Sequence, residues 1–238
     1  MGKRLLSFAW GQNGLRALLP ISDAVVIVDV LSFSTAVDVA VGRGALVFPY
    51  AYGREGAAAQ AERHSATLAQ PRSASGGQLS LSPGSLSNVA PGERIVLPSP
   101  NGSALSELTG DCPTFAGCLR NARAVAKAVG QVGERVGVIA AGEKWPDGTL
   151  RPALEDLLGA GAILSAMEGE LTPDAEATRA AYLTMRDNCA EAIRACASGQ
   201  ELTDAGYAED VSYAIAQNTS KAVPQLIGGA YQNALKTR

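Results

Sequence analysis

Histidine is nearly missing from this chain of 238 residues, which has one, His64, and its four cysteines (Cys112, Cys118, Cys189 and Cys196) include no CxxC pair. A structural zinc needs about four nitrogen or sulfur ligands at short spacings, and neither set supplies them. Cysteines so dispersed are expected to be reduced and mostly buried. Aromatic residues are scarce at 5%. No apolar run approaches the ~20 residues of a membrane span, and the opening MGKRLLSFAW lacks the apolar stretch of a secretory signal, so a cytoplasmic location is expected. Cationic excess is missing as well. Twenty Lys and Arg face 23 Asp and Glu, a net charge of -3, which leaves no general basic field for nucleic acid. Nor is there a Walker A loop, and Gly159 and Gly161 do not complete a dinucleotide fingerprint. Their expected role is close helix packing.

What is present is a chain 47% hydrophobic and 18% charged, rich in Ala and Gly. It is long enough to bury a large core. The stretch Val25 to Val39, VVIVDVLSFSTAVDV, organises the rest. Its continuous β-branched run reads as a strand covered on both faces in a largely parallel sheet, and Asp29 falls at the carboxyl end, where open α/β sheets place ligands. Ser32, Ser34 and Thr35 then offer hydroxyls and caps for a helix running to about Val41. Unpaired N–H groups and the positive end of the helix dipole make such a turn a place for an anion. A carboxylate there calls either for a divalent cation or for a role as nucleophile, and a helix cap is the plain alternative.

Further strands are expected at Arg4 to Trp10, Ala45 to Tyr50, Arg94 to Leu97, Thr114 to Cys118 and Arg135 to Ala140. Helices are expected from Arg54 to about Gln70, where His64 would be solvated, at Leu119 to Val129, and over Asp174 to Ala197, with one or two shorter ones in Gln200 to Gln217. The Pro224 segment reads as an edge strand. Between them the Ser, Gly and Pro-rich residues 71–92 form a long irregular excursion, a kind of loop that often carries function. Asn101-Gly102, with Ser99 and Ser103 beside it, makes a second strand, turn and helix start. AAGE ends another strand on Glu143, followed by Lys144, Asp147 and Arg151 and by a helix with Glu155 and Asp156 in its first turn. The helix dipole alone would explain acids there. The alternation predicts an α/β protein, three-layer α/β/α around a largely parallel or mixed sheet, as a single domain over residues 1–238 with a mainly helical part over 154–238.

Taken together, VDVLSFSTAV, SPNGSAL, CLRNARAVA, AAGE, LEDLLGAGAI and GYAEDVSYAIAQNTSKAVPQL, from about Val25 to Leu226, resemble the 2-phosphosulfolactate phosphatase family. The resemblance implies a magnesium-dependent hydrolase of a small anionic phosphate monoester, 2-phosphosulfolactate or a related 2-phospho acid, in some organisms on the route to coenzyme M. In the best-known branch of the family the first motif typically has arginine where this chain has Ser32, which bears on the sulfonated substrate. On this basis Glu143 and Asp156 are expected to hold Mg2+. Asp29, Asn101 and Glu155 are expected to act in catalysis, Asp29 as nucleophile or as a further ligand. Ser32, Ser34, Thr35, Gly102, Ser103, Arg120 and Arg151 are expected to bind the phosphate. A phosphocysteine route lacks its arginine six residues after any cysteine, and a phosphohistidine route would rest on His64 alone. The rival is a non-catalytic module that binds a phosphorylated metabolite. A homodimer is the default assembly.

Overall fold

The structure is a computed structural model that describes residues 4–51, 56–74, 76 and 78–236. The chain opens with β1 (Leu5–Trp10), α1 (Gly11–Leu18), β2 (Ala24–Val28), α2 (Phe33–Gly42) and β3 (Leu46–Ala51). Helix α3 (Ala57–His64) and strand β4 (Thr67–Leu68) precede the irregular excursion. After it come β5 (Arg94–Ser99), α4 (Gly102–Glu107), β6 (Thr114–Gly117), α5 (Ala122–Val129) and β7 (Arg135–Ala140). A ribbon of β8 (Glu143–Lys144) and β9 (Leu150–Arg151) leads into α6 (Leu154–Ser165). Next are β10 (Glu170–Leu171), α7 (Pro173–Met185), α8 (Cys189–Ala195), α9 (Ala197–Asp204), α10 (Ala208–Ala214), and the hairpin of β11 (Pro224–Ile227) and β12 (Ala230–Asn233).

Ten strands form one mixed sheet in the order β10-β1-β7-β2-β6-β11-β12-β3-β5-β4. Two parallel blocks, β10-β1-β7-β2-β6 and β3-β5-β4, are joined by the antiparallel hairpin. Each joint rests on a single pair of residues, Gln225 with Phe115 and Tyr231 with Val47. Helices cover the faces, giving the expected three-layer α/β/α fold. Every residue of β2 is buried, as its unbroken apolar run requires, and α2 is buried from Phe33 to Val41. No helix among the described residues is long and apolar enough to cross a membrane.

Several elements differ from expectation. The segment with Pro224 is not an edge strand. It lies inside the sheet, where proline is tolerated because it is the strand's first residue and β11 meets β6 at Gln225 alone. Of the helix expected from Arg54 to about Gln70, the start at Arg54 lies outside the described residues; α3 runs over Ala57–His64 and stops there because Ser65 turns left-handed (φ 48°). His64 is half-buried and stacks on Phe48 at 4.0 Å between ring centres, so it is a packing residue more than a solvated one. The long helix expected to Ala197 breaks at Arg186–Asn188 into a 3-10 turn. Asp and Asn there compete for backbone hydrogen bonds and weaken a helix interior. Of the cysteines, Cys118 and Cys189 are buried, Cys112 and Cys196 are half-buried, and all four are free thiols.

The irregular excursion is anchored. Leu86 and Val89 are buried against α2, and a bridge pairs Gln70 with Ser80. Helix α6 approaches its neighbours through its two glycines. A β-carbon on Gly161 would lie 2.5 Å from the Thr178 carbonyl oxygen, and one on Gly159 would lie 2.6 Å from Val30 Cγ2. Gly161→Ala should therefore cost about 1–3 kcal/mol in urea unfolding, an overpacking penalty. Gly42→Ala is the control, because its nearest foreign atom would be 3.8 Å away. That change should be neutral or stabilising by up to ~1 kcal/mol.

Candidate active site

Three strand ends meet at one place. Asp29 follows β2, Asn101 and Gly102 follow β5, and Glu143 follows β7. The Asp29 carboxylate accepts from Phe33 N–H at 3.1 Å through Oδ1 and from Gly102 N–H at 2.8 Å through Oδ2. Its carbonyl accepts from Ser34 N–H at 2.8 Å, and its own N–H donates to Ser34 Oγ at 3.0 Å. The two turns read as anion-facing thus close around a carboxylate of the protein itself. Glycine is required at 102, since a β-carbon there would sit 2.2 Å from Phe33 Cδ1 and 2.9 Å from Asp29 Oδ2.

Behind Asp29 lies the start of α6. Asp156 accepts from Val30 N–H at 2.7 Å and from Gly142 N–H at 2.8 Å, tying the turns after β2 and β7 together. Glu155 is buried and accepts a hydrogen bond from the Cys196 thiol at 3.3 Å. Glu143 accepts from Asn101 Nδ2 at 2.9 Å. Burial, then the charge of Asp29, pushes Glu143 up to about 7. Burial likewise raises Asp29 to about 6, against two backbone N–H bonds that lower it. Asp156 is raised well above the carboxylate range by burial, then by Asp29 and Glu155. The Cys196 thiol is pushed up to about 12, mainly by burial, so it is no nucleophile.

Asp29, Ser32, Asn101 and Glu143 line a cavity of about 480 Å³, with Arg72, Tyr207, Glu201, Ser198 and Gln70 among the remaining walls. Neither Glu155 nor Asp156 is among its lining residues. Other expected site residues lie outside the cavity or turn their hydroxyls to the backbone. Ser34 Oγ donates to the Ile27 carbonyl, Thr35 Oγ1 to that of Val30 and Ser103 Oγ to that of Leu97. Arg120 belongs to another cavity, where its Nε donates to the buried Asp38 at 2.9 Å. Arg151 lies opposite Glu143 in the ribbon but is held by Glu201 at 2.9 and 3.0 Å.

Sequence reasoning missed Arg72. It comes from the irregular excursion, and its guanidinium donates to Ser32 Oγ at 2.6 Å and to Asp210 Oδ2 at 2.8 Å, with its Cζ 5.6 Å from the centre of the Tyr207 ring. Asp210 also accepts from Ser82 Oγ. A lone arginine inside a Ser and Gly-rich loop was the available signal, together with the acid in GYAED. At Ser32, the position where the resemblance expects an arginine, a guanidinium is thus present but arrives from another part of the chain.

Magnesium takes oxygen ligands, commonly one or two carboxylates completed by water and substrate phosphate. No group of three or more His, Cys, Asp or Glu among the described residues could hold a metal ion. An ion here would have to be shared between protein and substrate, not caged by protein alone. Asp29 and Glu143 suit that arrangement: both line the cavity, and the Asp29 charge raises the proton affinity of Glu143, a repulsion that a cation would relieve.

The sequence profile described as 2-phosphosulpholactate phosphatase matches residues 15–229. A protein of Methanothermobacter thermautotrophicus named 2-phosphosulfolactate phosphatase is 32% identical over 212 residues, 85% of this chain and 86% of that protein. Another of the same name, from Methanocaldococcus jannaschii, is 29% identical over 139 residues, 56% of this chain and 55% of that protein. With the turns after β2, β5 and β7 meeting at one cavity, and the profile spanning nearly the whole chain, the chain belongs to the 2-phosphosulfolactate phosphatase family.

Proposed function

We propose that this chain hydrolyses a small anionic phosphate monoester, 2-phosphosulfolactate or a related 2-phospho acid, in a magnesium-dependent reaction. The observation that carries the reading is that Asp29 and Glu143 face one cavity of about 480 Å³ in a chain whose relatives carry that activity in their names. Asp29 and Glu143, in place of Glu143 and Asp156, are the residues that would hold the ion. Once bound, it would offset phosphate charge that two carboxylates alone would repel.

Water is the attacking group. Both oxygens of Asp29 already accept a backbone N–H, which lowers their nucleophilicity but leaves a lone pair on each for a cation. Water adds to phosphorus, the ester P–O bond breaks, and the proton that water loses ends on the departing alkoxide. Asn101 holds Glu143 in position through its amide. Asp156 and Glu155 act from behind the cavity, Asp156 by fixing the Val30 and Gly142 backbone. Burial keeps the site dry enough to strengthen these charge interactions.

Incubation with 2-phosphosulfolactate, phospholactate and phenyl phosphate should release inorganic phosphate with magnesium and not with excess chelator. Release that chelator leaves unchanged would remove the metal from the reaction, and no release from any ester would favour the binding module. A second expectation concerns pH. A carboxylate must be ionised to bind a cation, and Asp29 and Glu143 ionise near 6 and 7, so magnesium affinity should climb from pH 5 to 8 and then level. In chelator the sign reverses for stability. The raised values favour the neutral forms, whose contribution is intact below about pH 4 and is lost as pH rises through 6 to 7. Glu143→Gln should flatten both dependences, read by calorimetric titration and by melting temperature. Unchanged pH slopes in that variant would contradict the assignment.

A further inference from the structure

Phosphate chemistry near Asp29 and Glu143 leaves the other end of the cavity to be explained. Arg72 is the one cationic residue among the described residues that line it. Its side chain is only 18% exposed, and three residues from two distant parts of the sequence hold it: Asp210 and Tyr207 from the C-terminal helical part and Ser32 from the turn after β2. Asp210 is itself buried and fixed by Ser82. A planar donor group supported on its rear edge by a buried carboxylate and on one face by an aromatic ring is set in direction before any ligand arrives.

One partner of its Nη2 is Ser32 Oγ, a neutral acceptor in the cavity wall. An anionic oxygen forms a stronger, charge-assisted bond with a guanidinium than a hydroxyl does, and two oxygens of a sulfonate or a carboxylate can accept two such bonds side by side. The phosphate end is already accounted for by the carboxylates and their cation. Resting on the phosphatase reading above, we infer that Arg72 recognises the non-reacting acid group of the substrate, a sulfonate or carboxylate, and so selects phosphoesters that carry a second anion. Asp210 and Tyr207 are positioning residues for it.

The experiment compares wild type with Arg72→Gln and Arg72→Lys on 2-phosphosulfolactate and on phenyl phosphate, which has no second acid group. In Arg72→Gln, KM for 2-phosphosulfolactate should rise 10- to 100-fold with kcat little changed, the loss expected for a charge-assisted bond pair. Phenyl phosphate kinetics should stay within about twofold, since a uniform binding contact touches only the substrate that makes it. Arg72→Lys keeps the charge without the fork and should fall between. Equal losses on both esters would show that Arg72 holds the phosphate, and no loss on either would show that it holds nothing; both overturn the inference. If wild type hydrolyses neither ester, the phosphatase reading fails and calorimetry with sulfolactate decides the inference alone. Binding by wild type that weakens at least tenfold in Arg72→Gln supports it. Equal binding by the two, or no binding to wild type, overturns it. Melting curves of both variants check that the fold is intact.

Discussion

The site depends on the Asp29 carboxylate, which takes N–H groups from two different turns. Phe33 belongs to the turn after β2, in the block β10-β1-β7-β2-β6, and Gly102 to the turn after β5, in the block β3-β5-β4. Within the sheet the blocks are joined through a hairpin that meets each at a single residue pair. The carboxylate is therefore a structural link between the two halves of the sheet as well as a wall of the cavity. A buried acid is costly unless hydrogen-bonded, and here the N–H groups that could have met a ligand anion meet the protein's own acid. The consequence is electrostatic. Beyond the effect of burial, the charge of Glu155 raises the proton affinity of Asp29, Glu143 and Asp156, and the charge of Asp29 raises that of Glu143 and Asp156. On the proposed function, such a group would bind an anionic substrate with help from cations.

That help comes from two directions. An ion on Asp29 and Glu143 would meet the phosphate, and Arg72 would meet the second acid group across the cavity. On that inference the C-terminal helices would have a defined part in the chemistry. They carry Asp210 and Tyr207, which hold Arg72, and Cys196, which donates to Glu155. The irregular excursion, fastened to α2 by Leu86 and Val89, brings Arg72 to that place.

Much of this was legible in the sequence where local signals were strong. VVIVDV reads as a doubly covered strand ending in an acid, and the structure places every residue of Ala24–Val28 in the interior. Asn101-Gly102 and AAGE are readable in the same way, since each follows an apolar strand. Reading fails where long-range contacts decide. Arg72 meets Asp210 across 138 residues of sequence, and no periodicity in a Ser, Gly and Pro-rich loop could announce it. Pro224 suggested an edge because proline cannot donate, yet β11 needs only one pairing with β6. The hydroxyls of Ser34, Thr35 and Ser103 were plausible phosphate contacts by position, but a nearby carbonyl takes each one. Arg120 is drawn away by Asp38, an acid inside the buried helix α2 whose need for a partner is stronger than any exposed site's.

The Asp29 carboxylate links the two turns, and on the proposed function it would also supply the oxygen that a cation needs. The most direct measurement of both is a calorimetric magnesium titration of wild type and Asp29→Asn, with melting temperature recorded on the same samples. Asparagine keeps the size but replaces one accepting oxygen by a donor that faces the N–H of Phe33 or Gly102. Magnesium affinity should be at least tenfold weaker and stability lower by about 1–3 kcal/mol in the variant. Unchanged magnesium affinity in a variant that melts like wild type would contradict both roles.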